Sequence, residues 1–209
     1  YKGAYTVKVS TQGHTFMTLV VAFLLVSRVN MALGRYLAAR DALGLMYRES
    51  RDLTQNLCAF SMRNTDQKAK EWRHEVTYRI LILLRTAMAV IDYPTTCVPA
   101  WQVPELTGAE LQDVQKSVLI HPEPRRYAHD VVRSEAEESM RVPIRLAYLL
   151  RKSIVTQEER LRKPIINAQE NRLLASVDGF MSGYYGIRKF LTTPTPFPLI
   201  QMARTFLFL

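Results

Sequence analysis

Cysteine is nearly absent: Cys58 and Cys97 are the only two in 209 residues, with no CxxC pair and no histidine cluster beside either. That leaves no basis for a disulfide framework or a zinc site, and both are expected as ordinary buried or half-buried thiols. The four histidines, His14, His74, His121 and His129, lack ligand spacing, and no glycine-rich phosphate loop, GxSxG or HExxH motif occurs. The expectation is therefore no enzyme, no catalytic residue, no cofactor and no metal. His74, between Glu71 and Glu75, reads as part of a solvated helix face, and His121 as a loop residue before Pro122. Strand-like alternation, internal repeats and low-complexity tracts are missing as well.

Acidic residues are in deficit. Lys and Arg number 28 against 19 Asp and Glu, a net charge of +9, which favours anionic partners: nucleic acid, lipid headgroups or permeant anions. Nucleic acid fits least, because the basic residues are scattered along every helix and interleaved with acids rather than gathered on one face with aromatics between them. With 48% hydrophobic and 22% charged residues the chain has material for one domain with a real core. It begins at Tyr1 and stops within the apolar run 205–209, which reads as an excerpt of a longer protein. The lack of a recognisable targeting peptide then carries no weight.

What is present is helix after helix. From Val9 to Ser27 no residue carries a formal charge when His14 is neutral, and the denser part, from Phe16 to Val26, is apolar. Such a run is about long enough to cross a hydrocarbon core, which needs roughly 20 residues. Gln12, Gly13 and His14 make it a poor lipid-facing span, so a buried core helix is the competing interpretation. The run passes directly into Arg28-Val29-Asn30, and Arg and Leu/Ala then recur at helical spacing to about Phe60. One long helix leaving a membrane into water is the expectation. A second, from Asp66 to Val90, is polar at first and then apolar, ending before Pro94. Pro94, Pro99 and Pro104 predict a loop over 92–106, and Thr107-Gly108-Ala109-Glu110 has capping-box spacing for a short helix. After a break at His121–Pro124 the helical pattern returns from Arg125, with Pro143 starting or kinking its second half. Pro164 stands where a first-turn proline would open a helix to about Phe190. Phe190 to Ala203 is again uncharged, as a truncated membrane helix would be.

Two stretches resemble one family. The first is Leu24-Leu25-Val26-Ser27-Arg28-Val29-Asn30 with Arg35-Tyr36, Ala39-Arg40 and Ser50-Arg51-Asp52-Leu53. The second is Thr193-Pro194-Thr195-Pro196, preceded by the helix opening at Pro164-Ile165. In this order they look like the signature of bestrophins, closer to the bacterial, plant and algal branch than to the animal one, because Arg28-Val29-Asn30 lacks the paired tryptophans that follow the arginine in animals. The resemblance implies an all-α, multi-helix integral membrane protein: a homopentameric anion channel subunit, conducting chloride or bicarbonate, whose long helices extend from the bilayer into a helical cytosolic or stromal body. The expected division is a membrane and pore helix at 9–27, a helical body at 28–190 and the start of a further membrane helix at 197–209. A thylakoid or other intracellular membrane is the expected location.

The resemblance also implies residue roles. Counting back from Arg28, the narrow neck falls on Gln12, Phe16 and Val20, and Gln12 departs from the three apolar side chains usual there. A second constriction falls on Pro164 and Ile165. The motif residues Arg28, Asn30, Arg35, Arg40, Arg51, Thr193, Pro194 and Pro196 are expected to be structural, with arginines such as Arg28, Arg35 and Arg40 pairing with Asp41, Glu49 or Asp52. The calcium-binding acidic cluster of animal members lies beyond the last membrane helix, so no calcium site is expected here. Two other interpretations stand beside the channel: a non-conducting scaffold of the same fold, and a soluble basic helical domain that binds acidic partners. In the scaffold the apolar rings seal the axis permanently, and the competing interpretation of Phe16 and Val20 themselves is that they are plain packing residues.

Overall fold

The computed structural model describes residues 11–118 and 135–193, and among these every regular element is helical. In chain order they are α1 (Thr11–Ser61), α2 (Gln67–Thr96), α3 (Gly108–Val118), α4 (Val142–Val155) and α5 (Asn167–Thr192). Single 3-10 turns lie at Ala100–Gln102 and Thr156–Glu159, and 135–139 form a further helical turn before α4. At 51 residues, α1 is about 77 Å long, far more than one layer of a globular body needs. Most of its buried residues lie in its second half.

That half lies against α5, while α2 lies against α4. Met46, Leu53 and Leu57 of α1 enter a common core with Trp72, Val76 and Leu83 of α2 and with Leu150 and Ile154 of α4. The α1–α5 crossing is close because α5 presents glycine to it. A methyl group on Gly183 would stand 2.8 Å from both the Ala42 carbonyl oxygen and Met46 Cγ, and one on Gly179 would stand 2.9 Å from the Glu49 side chain. Any larger residue at Gly183 must push the two backbones apart.

Polar atoms in the body find partners across helices, as buried donors and acceptors must. The Trp72 indole N–H donates to the Ser153 carbonyl at 2.8 Å, and the Tyr184 hydroxyl donates to the Met140 carbonyl at 2.7 Å. Arg73 donates to the Ser61 and Asn64 carbonyls at 3.0 and 2.8 Å and so closes the end of α1. Arg145 grips Asp113 through two hydrogen bonds of 2.7 and 2.8 Å, tying α4 to α3.

Several sequence expectations change. Pro94 does not end α2: the helix runs through it to Thr96 and stops at Cys97, whose φ of 54° is left-handed and whose N–H bonds the Tyr93 carbonyl. Proline is tolerated there because it lies in the last turn, where little helix remains to be disrupted. Pro164 is not in the first turn of α5 but three residues ahead of it, with extended Ile166 as the N-cap. Both cysteines are exposed rather than buried, Cys58 on the outer side of α1 beside buried Leu57 and Cys97 where the chain leaves α2. Thr107 and Glu110 do flank the start of α3, but the threonine hydroxyl donates to the carboxylate itself at 2.5 Å. Pro143 begins α4, and His74 is exposed on α2.

Candidate functional site

The first half of α1 is the feature a water-soluble domain would not display. Phe16, Leu19 and Phe23 are each 67% exposed and Val26 is 59% exposed, with Leu33 and Leu37 continuing the same line. Their steps of three and four residues put them on one side of the helix, a continuous apolar stripe. The opposite side, through Leu24, Met31 and Arg35, continues into the residues that meet α5. Among the described residues this is the one helix long and apolar enough to cross a membrane, and almost none of its apolar stretch is buried within the chain. A core helix of a soluble protein would be mostly covered.

Of the predicted neck, Phe16 belongs to the exposed stripe and Val20 is half-buried on its flank. The side chain of Gln12 lies outside the described residues. Leu19, Phe23 and Val26, which share the stripe, were not singled out from the motif, although their heptad-like spacing is present in the sequence. Arg28 and Asn30 are exposed one turn farther on.

At the other predicted constriction, Ile165 is 5% exposed and packs into the core of its own chain, whereas Ile166 is 68% exposed. Ile165 thus packs within its own chain, and the apolar side chain that stands out at this turn is its neighbour. The backbone here is held by side-chain amides. Gln157, fully buried, accepts from the Ile165 N–H at 2.7 Å and donates to the Ile165 carbonyl at 3.2 Å and to Glu170 Oε2 at 3.1 Å. Asn64 accepts from the Lys163 N–H at 3.0 Å and donates to the Lys163 carbonyl at 2.9 Å. Neither amide was visible as a site residue, because its partner is distant in sequence. No side chain caps α5; its first turn carries the acidic Glu170, and Arg162 and Lys163 are exposed just ahead of it.

The motif arginines divide. Arg35 donates to the Phe190 and Thr193 carbonyls at 3.1 and 2.9 Å, joining α1 to the C-terminal end of α5. Arg40 meets Asp41 at 3.4 Å and Arg51 meets Asp52 at 3.9 Å, while Glu49 pairs with Arg48 at 3.3 Å. Pro194, Pro196 and the apolar segment 197–209 lie outside the described residues. Among the described residues no group of three His, Cys, Asp or Glu side chains is arranged to hold a metal ion.

Comparison with known proteins agrees with this geometry. Residues 1–209 match the family model described as Bacterial/Fungal Bestrophin protein. The fold is similar to the crystal structure of a bacterial bestrophin homolog from Klebsiella pneumoniae carrying a single substitution, with a TM-score of 0.67 at 14% identity over 96% of this chain and 63% of that one. Two crystal structures of a membrane protein, each with one substitution, give TM-scores of 0.70 and 0.69 at 13% and 14% identity, over 96% and 97% of this chain. The chain spans 63% and 64% of their lengths. At such identities the likeness is one of fold. No curated protein matches the chain significantly.

Proposed function

The chain belongs to the bacterial and fungal bestrophin family, and from that premise we propose that it is one subunit of a homopentameric anion channel whose pore follows the symmetry axis. The observation that carries this reading is the uncovered apolar stripe on the first half of α1. A stripe of that length has two uses in a bilayer: contact with lipid, and contact with copies of itself around an axis. In a five-fold bundle one edge of it, through Gln12, Phe16 and Val20, forms stacked rings. Apolar rings gate by shedding water.

The domain division follows the same logic: a membrane and pore helix over 9–27, a helical body over 28–190 and a further membrane helix beginning at 197–209. The second constriction belongs to Ile166 in place of Ile165, since only Ile166 is free of its own chain's core. Beside it, the exposed Arg162 and Lys163 and the N-terminus of α5 supply positive potential, offset in part by Glu170 in its first turn and repeated five times around the axis, which favours anions such as chloride or bicarbonate over cations.

Reconstitution of the intact protein in planar bilayers under a chloride gradient tests the reading. Currents reversing near the chloride potential are expected, with Phe16→Ala and Ile166→Ala each altering conductance or relative anion permeability. Silence from a correctly assembled pentamer would favour a sealed scaffold, and a monomer soluble without detergent would favour a soluble binding domain. Unchanged currents in both variants would remove these two residues from the pore.

A further inference from the structure

The segment between α4 and α5 is held with unusual completeness for a surface turn. Asn64 and Gln157 each use both ends of the carboxamide, donor and acceptor, to grip the N–H and the carbonyl of a single residue, Lys163 and Ile165 respectively. The two gripped residues flank Pro164, whose ring fixes its own φ. Three successive residues are thereby immobilised. The residues that grip are themselves fixed: Gln157 is fully buried and its amide is bonded to Glu170, and Asn64 is 4% exposed with its backbone carbonyl accepting from Arg73. Anchoring a loop requires far less. The residue that leaves this grip is Ile166, 68% exposed.

We propose that Asn64 and Gln157 are positioning residues that set how far the Ile166 side chain projects, and so set the width of the second constriction. The inference rests on the assignment of Ile166 to the pore. A ring of five side chains on loose turns would have a fluctuating bore and pass large anions; a bore defined to a fraction of an ångström needs turns that do not move. Backbone bonds to buried amides provide that rigidity because breaking either one leaves a desolvated donor or acceptor without a partner.

The test uses the full-length protein in planar bilayers, with gluconate permeability measured relative to chloride. Ile166→Ala is expected to raise the ratio. Asn64→Asp, which keeps the acceptor for the Lys163 N–H and loses the donor, and Gln157→Met, which loses both, are each expected to raise it at least about twofold, the low end of coupling within one bonded network. In an Ile166→Ala background the same two substitutions should add little, because the side chain through which they act is gone. Equal shifts in both backgrounds, or no shift in the native background of an assembled pentamer, would overturn the proposal while leaving Ile166 in the pore. No effect of Ile166→Ala itself would instead remove the turn from the pore and the proposal with it. Asn64→Asp, the milder change, decides the matter where Gln157→Met does not assemble.

Discussion

Residues 15–37 and 42–61 belong to one uninterrupted helix, yet they follow opposite rules. In the second region the large apolar side chains Met46, Leu53 and Leu57 are buried, at 0%, 2% and 0% exposure, and the charged Arg48, Arg51 and Asp52 face out. In the first, Phe16, Leu19, Phe23 and Val26 face out, and the side directed toward α5 carries Leu24 and Arg35. The helical period is common to both. What differs is the medium each region is built for: the inner half is sorted by water, the outer half is apolar where water would demand charge.

The sharpest way to break this contrast is to truncate leucine in each region. Leu57→Ala should cost about 2–5 kcal/mol, since a fully buried side chain leaves a cavity when it is removed. Leu19→Ala should leave the stability of the body unchanged. Thermal unfolding of the intact protein in detergent, followed by hydrogen exchange in α2 and α4, would measure both; equal losses would mean that the outer half is part of the same core.

Glycine gives a second, smaller contrast. Gly183→Val should cost about 1–3 kcal/mol by overpacking, because its side chain would meet the Ala42 carbonyl and Met46. Gly34→Ala, where nothing lies within 4 Å, should be neutral or stabilise α1 by up to about 1 kcal/mol through helix propensity. A loss at Gly34 in the assembled protein, absent from the detergent monomer, would sharpen the comparison by identifying a contact between copies.

Much of this was legible in the sequence, and the exceptions have a common cause. The long α1, its end near Phe60 and the start of α3 after Thr107 follow from periodicity and capping chemistry, which are local. The fate of Ile165 and Ile166 is not local. Both are β-branched and apolar, and the turn that buries one and exposes the other is bonded to Gln157 and Asn64, eight and 99 residues from the backbone groups they hold. The bonds of Arg35 are equally non-local, since its carbonyl partners at Phe190 and Thr193 are 155 and 158 residues away. Proline signals erred where position within the helix mattered: Pro94 near the end of α2 is tolerated, and Pro164 acts ahead of α5 rather than in its first turn.

The smallest expected effect separates the regions by acid. The inner body is tied by carboxylates, whereas residues 11–27 contain none. Asp113 is the clearest case: two hydrogen bonds from Arg145 hold its carboxyl below the usual carboxylate range against the opposing influence of burial, and Arg145 in turn is held above its ordinary value. A depressed carboxyl contributes stability at any pH above its unfolded value of about 3.9, and that contribution is lost as pH falls through the lower, folded value. The pair is about one-third exposed, at 32% and 35%, so solvent screening limits it to about 1 kcal/mol despite its two-pronged geometry. Asp113→Asn should lower the melting temperature of the body by a few degrees at neutral pH, and the difference from the native protein should shrink as pH drops below about 4. The pitch and exposure of the outer half of α1 should be indifferent to the same titration. If its hydrogen exchange accelerated together with that of α3 and α4, the two halves of the helix would be one cooperative unit, and the division between them would be one of surface composition alone.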